Sequence, residues 1–217
     1  MALIQAVRQH RNITIWGHTT ALDLMVKNTI CTGIVVIKDR KIVAIRATAV
    51  VLATGGAGHL FQHTTNPKVA IGTGIAMAHR AGAALKDLEF IQFHPTALAD
   101  RTNPHMLLSE ALRGAGAHLI NDNHQRFTLA QAPASAVVGH DPRGELATRD
   151  LLTRLIYKEQ KRGPVYLDMT HLDSQKTKKN FPTIYRAIQQ RLKKDLTKEP
   201  IPITPAAHYL CGGIAVN

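Results

Sequence analysis

The sequence predicts a mixed fold of the α+β or α/β class, in which a sheet-containing part is followed by a more helical part. Residues 33–37 and 41–45 are β-branched, apolar runs joined by a polar turn at 38–40, which predicts a β-hairpin. Residues 49–53 are all apolar and lead into glycines, as is typical of a buried strand in a parallel sheet. After about residue 88 helical periodicity dominates.

The remaining elements of the first part are short. Residues 1–10 read as the end of a helix, because Leu3, Ile4 and Val7 fall on one face. Residues 13–16 and 21–26 are short strand candidates. Residues 72–85 form a helix opened by glycine, whose small residues suit close packing against a sheet or a cofactor.

The second part contains three helix candidates, at 107–115, 144–160 and 181–196. Three prolines follow, at 200, 202 and 205. A boundary near Leu88 therefore separates the two parts.

Composition places the chain among ordinary globular proteins. Its 217 residues are 45% hydrophobic and 19% charged. No apolar run approaches the roughly 20 residues that a membrane helix needs, and the N-terminus has no signal-type segment, so we expect a cytoplasmic protein without a membrane segment. Cys31 and Cys211 match no metal or redox spacing, which favours reduced structural thiols.

The net charge of +12 raises the question of nucleic acid binding. The densest basic run, residues 176–194, reads as a solvated helical face, and aromatic residues that could stack on bases make up only 5%. We therefore expect no nucleic acid partner. A second interpretation of the charge is attraction of small anions such as dicarboxylates and dinucleotides.

Two segments could bind ligands, although each also has a structural interpretation. The glycine-rich run 51–58 is either a tight turn or a strand end whose amides lie against a dinucleotide. His94 precedes Pro95, which restricts it to extended geometry. Such a histidine is either structural or a hydrogen-bond donor to a carboxylate.

Charged residues in the second part suggest further candidates. Glu110 and Arg113 are spaced i, i+3 and could form a surface ion pair on one helix face. Arg149 stands where a helix begins, and a guanidinium there could clamp a carboxylate with two hydrogen bonds. His208 follows the proline-rich stretch and precedes two glycines; its structural interpretation is a buried, hydrogen-bonded histidine.

No metal site is expected from sequence spacing. His59 and His63 are four residues apart, but a zinc site of this type usually has Glu beside the first histidine, and residue 60 is Leu. The two cysteines cannot form an iron–sulfur centre, and there is no Walker-type phosphate loop.

Several motifs, taken together and in this order, resemble the flavoproteins of the succinate dehydrogenase and fumarate reductase family, and most of all its L-aspartate oxidase branch. The motifs cover essentially the whole chain: they are ATGG at 53–56, TTNP at 64–67, GTGI at 72–75, EFIQFHPT at 89–96, SEALRG at 109–114, RGELATRD at 143–150 and HYLCGG at 208–213.

The resemblance implies an FAD-dependent oxidation of L-aspartate to iminoaspartate in de novo NAD biosynthesis, with fumarate or oxygen as electron acceptor. It implies a partial FAD-binding, Rossmann-like domain with a β-meander over 1–88 and a mainly helical capping domain over 89–204. Residues 205–217 would return to the FAD-binding domain. Alternatives are a fragment of the succinate or fumarate branch and an inactive remnant that does not bind FAD.

The resemblance also implies roles for individual residues. By this resemblance, the substrate is bound by His94, Ser109, Arg149 and His208. The proton is transferred by Arg149, with Arg113 and Glu110 as its relay. A guanidinium is a poor base, so carboxylate anchoring is the better role for Arg149, and Arg149→Lys should lose most turnover while FAD still binds. The residues implied in cofactor binding are Ala53, Thr54, Gly55, Gly56, Thr64, Thr65, Asn66, Gly72 and Gly74.

The chain departs from the family pattern in several places. No G-x-G-x-x-G motif follows a strand near the N-terminus, and the family's last flavin-binding segment is not found. Thr73 stands where Asp is usual, Ser109 replaces Thr, and Ala115 replaces Glu. We therefore expect weak or no FAD binding by the chain alone, unless a complementing chain supplies the other segments.

Overall fold

The structure is a computed structural model that describes residues 2–128 and 143–216. The chain divides into two compact units. Unit 1 comprises Met1–Thr54, Thr73–Lys86 and Ile214–Asn217, and unit 2 comprises Gly55–Gly72 and Asp87–Gly213.

Unit 1 is built on a three-stranded antiparallel meander. Helix α1 (Ala2–Gln9) precedes strands β1 (Thr20–Lys27), β2 (Ile30–Lys38) and β3 (Lys41–Arg46), which pair in the order β1-β2-β3. Asp39 and Arg40 both have positive φ, as the two central residues of a type I′ turn require. The predictions of α1, of a strand over 21–26 and of the hairpin are confirmed.

Two strand predictions in this unit are wrong. Neither 13–16 nor 49–53 is a strand, and the Val51 side chain is 88% exposed. An apolar run becomes a strand only when a neighbouring strand supplies hydrogen-bond partners, and none of the described strands pairs with either run.

The last elements of unit 1 are short. Helix α2 (Thr73–Arg80) ends before the predicted 85, because the chain turns at Gly82 with φ of +89°. Strand β4 (Leu85–Lys86) follows and pairs with β9 (Gly213–Ile214).

Unit 2 contains a four-stranded antiparallel sheet that the sequence analysis did not predict. Its strands are β5 (Ile91–Leu98), β6 (His118–Asn121), β7 (Val165–Asp168) and β8 (Ile201–Leu210), in the order β5-β8-β7-β6. Prolines argue against central strands, yet the central strand β8 contains Pro202 and Pro205, and the edge strand β5 contains Pro95. Register shifts between His94 and Ala97 accommodate Pro95.

The three predicted helices of unit 2 are present but shorter. They are α3 (Glu110–Gly114), α4 (Arg149–Gln160), which follows a 3-10 turn at Gly144–Leu146, and α6 (Pro182–Leu192). Helix α5 (Ser174–Asn180) precedes α6, and the Asp173 side chain caps it by accepting a hydrogen bond from the Lys176 amide. No described helix is both long enough and apolar enough to cross a membrane.

One hydrophobic core holds the sheet and helices of unit 2 together. Leu112 from α3, Leu152 and Ile156 from α4, Leu167 from β7 and Ile188 from α6 are all fully buried in it. Each fully buried aliphatic side chain contributes about 1.5–3 kcal/mol relative to exposure. This packing fixes the start of α4, and hence Arg149, relative to the sheet.

Candidate active site

Two histidines from neighbouring strands of unit 2 face each other. His94 lies in β5 and His208 in β8, and the two strands are antiparallel partners. Their ring centroids are 5.3 Å apart, with the rings inclined at 67°. Residues 114 positions apart are thus brought together by strand pairing.

His94 is a buried, neutral imidazole. Its side chain is 1% exposed, and Nδ1 lies 3.2 Å from both the amide nitrogen and the carbonyl oxygen of Thr96. Burial, followed by electrostatic interaction with His208, Arg113 and Arg149, lowers the pKa of His94 to about 3. In the tautomer in which Nδ1 accepts the hydrogen bond from the Thr96 amide, Nε2 carries the hydrogen and can donate it to an anion.

His208 is held by a threonine hydroxyl. Thr65 Oγ1 lies 2.7 Å from Nδ1 of His208. Partial burial, followed by the charge of Arg149, lowers the pKa of His208, which favours its neutral form. The neighbouring Asn66 amide donates to the His208 carbonyl at 2.9 Å, so residues 64–66 hold β8 in place.

Arg149 is the first residue of α4, and two polar side chains orient it. Its Nη1 donates to Gln92 Oε1 at 2.7 Å, and its Nε donates to Glu110 Oε2 at 3.4 Å. Its side chain is 32% exposed, so part of the guanidinium remains accessible. The sequence analysis did not single out Gln92 as a site residue. Strand periodicity could not have done so, because β5 was not predicted and its register shifts between Gln92 and Phe93.

Arg113 is buried beneath this ion pair, contrary to the interpretation of Glu110 and Arg113 as a surface pair. Arg113 is 2% exposed, and its Nη1 donates to the backbone carbonyl of Glu145. Its Nη2 lies 3.6 Å from Glu110 Oε2, and among the described residues neither Nε nor Nη2 has a hydrogen-bond partner. Burial lowers the pKa of Arg113, while the Glu110 carboxylate opposes that shift. Glu110 therefore bridges two guanidiniums.

A second ion pair, which the sequence analysis missed, lies beside Arg113. Arg126 Nε and Nη2 donate to the two carboxylate oxygens of Glu145 at 3.0 and 2.9 Å. The Leu119 amide also donates to Glu145, at 3.3 Å. Because these residues are 19 and 26 positions apart in sequence, no local spacing could have indicated the network.

An open cleft of about 550 Å³ runs along this polar face of unit 2. Gln92, Glu110 and Arg149 line it together with Leu146, Ala147 and Thr153. His94 and His208 do not line it, although Arg149 is close enough to lower the pKa of both. Ser109 is the N-cap residue of α3, and none of the described hydrogen bonds joins it to Arg149 or to either histidine.

The predicted cofactor residues fall in both units and are described separately. In unit 1, a Cβ at Gly74 would lie 1.8 Å from Thr54 Oγ1, so only glycine fits beside Ala53 and Thr54. In unit 2, Gly55 has φ of +71°, and Gly72, with φ of +79°, donates its amide to the Gly56 carbonyl at 3.1 Å.

These residues fit a dinucleotide such as FAD mainly through their backbone. The amides of Gly55 and Gly56 donate to no backbone acceptor in the described chain, which leaves them available to a phosphate. The side chains of Thr64 and Asn66 are engaged instead with the Ala207 carbonyl, at 3.1 and 3.2 Å. Their side chains thus hold β8.

His59 and His63 do not converge on a common point as ligands would. His59 Nδ1 lies 3.2 Å from the Asn66 carbonyl, whereas His63 Nδ1 lies 3.0 Å from His105 Nε2.

Comparison with known proteins identifies the family. The FAD binding domain family matches residues 1–217. The chain is 41% identical to L-aspartate oxidase of Synechocystis sp. over 99% of its length and 39% of the relative's. It is 43% identical to L-aspartate oxidase of Yersinia pestis over 99% of its length and 41% of the relative's.

Similarity to solved structures supports the same family. The chain is similar to a quinol-fumarate reductase with menaquinol molecules, with a TM-score of 0.85 and 32% identity over 99% of this chain and 39% of that one. It is also similar to Mycobacterium smegmatis Sdh1 in complex with UQ1, with a TM-score of 0.74 and 31% identity over 100% of this chain and 37% of that one.

The chain spans about two fifths of the length of the relatives it matches. The comparisons confirm the predicted resemblance, the fold class and FAD as the cofactor of the family. The chain belongs to the FAD-binding flavoprotein family of succinate dehydrogenase and fumarate reductase, which includes the L-aspartate oxidases.

Proposed function

We propose that the protein carrying this chain oxidises L-aspartate to iminoaspartate in de novo NAD biosynthesis, as an FAD-dependent cytoplasmic enzyme with fumarate or oxygen as acceptor. One observation carries the proposal: two neutral imidazoles, His94 and His208, lie beside Arg149, although the three residues are distant in sequence. The names of the relatives support L-aspartate as the substrate.

The electrostatics favour a small dianion. Arg113 and Arg149 bring two guanidiniums to one place, and the Glu110 carboxylate between them neutralises only one charge. The Glu145 carboxylate is already bound by Arg126. A net positive field remains at the cleft, which attracts carboxylates.

Arg149 is suited to hold one carboxylate of the substrate. Gln92 and Glu110 fix its Nη1 and Nε, while its partial exposure leaves donors on the guanidinium free to bind a carboxylate. His94 and His208 remain neutral at physiological pH, so each can donate a hydrogen bond without the desolvation cost of a buried cation. Together they would position the α-carbon of the substrate.

FAD, when bound, would serve as the oxidant for removal of a hydride from the α-carbon. Within unit 2, the backbone amides of Gly55 and Gly56 would hold its phosphates, and Gly72 would support Gly56 through its own amide. The cofactor roles of Ala53, Thr54 and Gly74 in unit 1 stay predictions. Thr65 would help to bind the substrate rather than FAD, because its hydroxyl orients His208.

We assign proton transfer to the Glu110 carboxylate, which Arg113 positions, and keep Arg149 as the carboxylate anchor. Glu110 contacts both guanidiniums at 3.4 and 3.6 Å and is half exposed, so it can exchange protons with solvent. A guanidinium, in contrast, rarely gives up its proton. Loss of a proton from the amine of the substrate and of a hydride from the α-carbon yields the imine.

A second candidate is the succinate or fumarate branch, which the likeness to a quinol-fumarate reductase favours. Both reactions need a site for a four-carbon diacid, so the geometry of Arg149 and the two histidines is compatible with either.

Anaerobic mixing of the FAD-loaded protein with L-aspartate or with succinate separates the candidates. We expect L-aspartate to bleach the flavin absorbance and to yield iminoaspartate, measured as oxaloacetate and ammonia after hydrolysis. Bleaching by succinate alone would assign the chain to the succinate branch. Bleaching by neither would contradict both and favour an inactive remnant.

A further inference from the structure

Three potential metal ligands meet at one end of the β6–β7 pair, in unit 2. His118 begins β6 and Asp168 ends β7, and the two are directly opposite in the antiparallel register. His171 follows three residues later. One ligand atom from each of the three side chains lies within 4.8 Å of the other two.

The second hydrogen-bonding positions of two of these ligands are already taken. His171 Nε2 lies 3.0 Å from the Gly116 carbonyl, which can only accept, so this nitrogen carries the hydrogen and Nδ1 keeps a free lone pair. Asp168 Oδ1 accepts the Thr170 amide at 2.9 Å, which leaves its other oxygen available. Metal-binding histidines and carboxylates usually have such orienting bonds.

The third ligand is held close by ring stacking. The imidazoles of His118 and His171 are stacked, with centroids 3.9 Å apart and planes inclined by 10°. Because the lone pair of a ring nitrogen lies in the plane of its ring, the His118 ring must turn out of this stack for both rings to bind one ion.

We propose that His118, Asp168 and His171 form a site for a divalent transition-metal ion of the zinc class. Two imidazoles and one carboxylate are ligands that Zn²⁺ and Co²⁺ accept, whereas Mg²⁺ and Ca²⁺ prefer oxygen alone. Three protein ligands leave the fourth position to water. The ion ties the loop after β7 to the start of β6.

None of the three ligands lines the cleft beside Arg149, and none is among the residues to which a role in binding the diacid is assigned. Sequence spacing could not indicate the metal site, because His118 lies about fifty residues before the other two ligands, which are only three apart. The local spacing of His59 and His63, in contrast, does not bring their rings to a common point.

The test is a titration of the chelator-treated full chain with Co²⁺ and Zn²⁺, followed by visible absorption and by calorimetry. We expect one equivalent to bind, with the d–d bands of four-coordinate Co²⁺. His118→Gln and, separately, Asp168→Asn should each weaken binding by about tenfold or more. The metal should also raise the thermal midpoint of the wild type but not of the two variants.

A matched control is needed because the chain has twelve histidines, some of which will bind metal weakly. The double variant His59→Gln, His63→Gln removes two of them elsewhere and should keep full affinity. Circular dichroism of the metal-free variants shows whether each is folded. Binding that is absent in the wild type, unchanged in both single variants, or lost in the control would overturn the proposal, whatever the outcome of the L-aspartate assay.

Discussion

Replacing Arg149 by lysine isolates the role of the guanidinium, because lysine keeps the positive charge but has only one nitrogen. Arg149 uses Nη1 to bind Gln92 and Nε to bind Glu110, and still presents donors to a ligand. A lysine ammonium cannot meet all three partners in one geometry. We therefore expect the lysine variant to lose at least one hydrogen bond to the diacid.

The size of the loss follows from the kind of bond. A hydrogen bond to a charged group contributes about 1.5–3 kcal/mol. Since about 1.4 kcal/mol corresponds to a tenfold change in affinity, succinate should bind the Arg149→Lys variant about 10- to 150-fold more weakly. Turnover of L-aspartate should fall at least as much, whereas FAD affinity should not change.

Calorimetric titration with succinate measures this directly. Arg162→Lys is the matched control, because Arg162 lies just beyond the other end of α4, is 69% exposed and contacts only Glu159 among the described ion pairs. If Arg149→Lys and Arg162→Lys both bind succinate within about twofold of the wild type, the anchoring role of Arg149 is refuted.

Three further predictions concern the framework of the site. Thr65→Val removes the 2.7 Å hydrogen bond to His208, which should cost about 1 kcal/mol, or about fivefold in succinate affinity, and shift the ¹⁵N resonance of Nδ1. Gly74→Ala places a methyl group against Thr54 Oγ1 and should lower the free energy of unfolding in urea by about 1–3 kcal/mol. The pKa of His94 is lowered to about 3 in the folded chain, so below pH 6.5 this histidine binds a proton in the unfolded chain but not in the folded one. Between pH 6.5 and 4.5 the free energy of unfolding should therefore fall by about 2 kcal/mol more in the wild type than in His94→Gln.

Each of these three predictions has its own control or its own contradicting result. Gly114→Ala, where a Cβ meets nothing within 4 Å, should change stability little, and equal effects at Gly74 and Gly114 would show that packing against Thr54 is unimportant. An unchanged Nδ1 resonance in Thr65→Val would mean that the hydroxyl does not hold His208. Parallel pH profiles for the wild type and His94→Gln would mean that His94 is not kept neutral by burial.

Local signals in the sequence were sufficient to predict the hairpin and the approximate positions of α1, α2, α3, α4 and α6. The polar turn and the β-branched runs on either side of it define β2 and β3. Helix α4 ends at the predicted residue 160 but begins five residues later than predicted. These elements are stabilised by contacts close in sequence, so local patterns predict them well.

The sheet of unit 2 and the interior of the site could not be predicted in the same way. Prolines argued against strands at β5 and β8, because a strand tolerates proline mainly at a sheet edge or where the ladder is interrupted, and both are tertiary features. The burial of Arg113 and the bonds of Glu145 to Arg126 depend on residues far apart in sequence. The roles of the site residues and the domain boundary near Leu88 stay predictions.

The most direct measurement is a crystal structure of the FAD-loaded protein with succinate bound. We predict that one carboxylate of succinate contacts Arg149 and that His94 Nε2 and His208 donate to the ligand, with Gln92 still bound to Arg149. Succinate bound elsewhere, with the two imidazoles turned away from it, would contradict the assignment of Arg149, His94 and His208 as a diacid site.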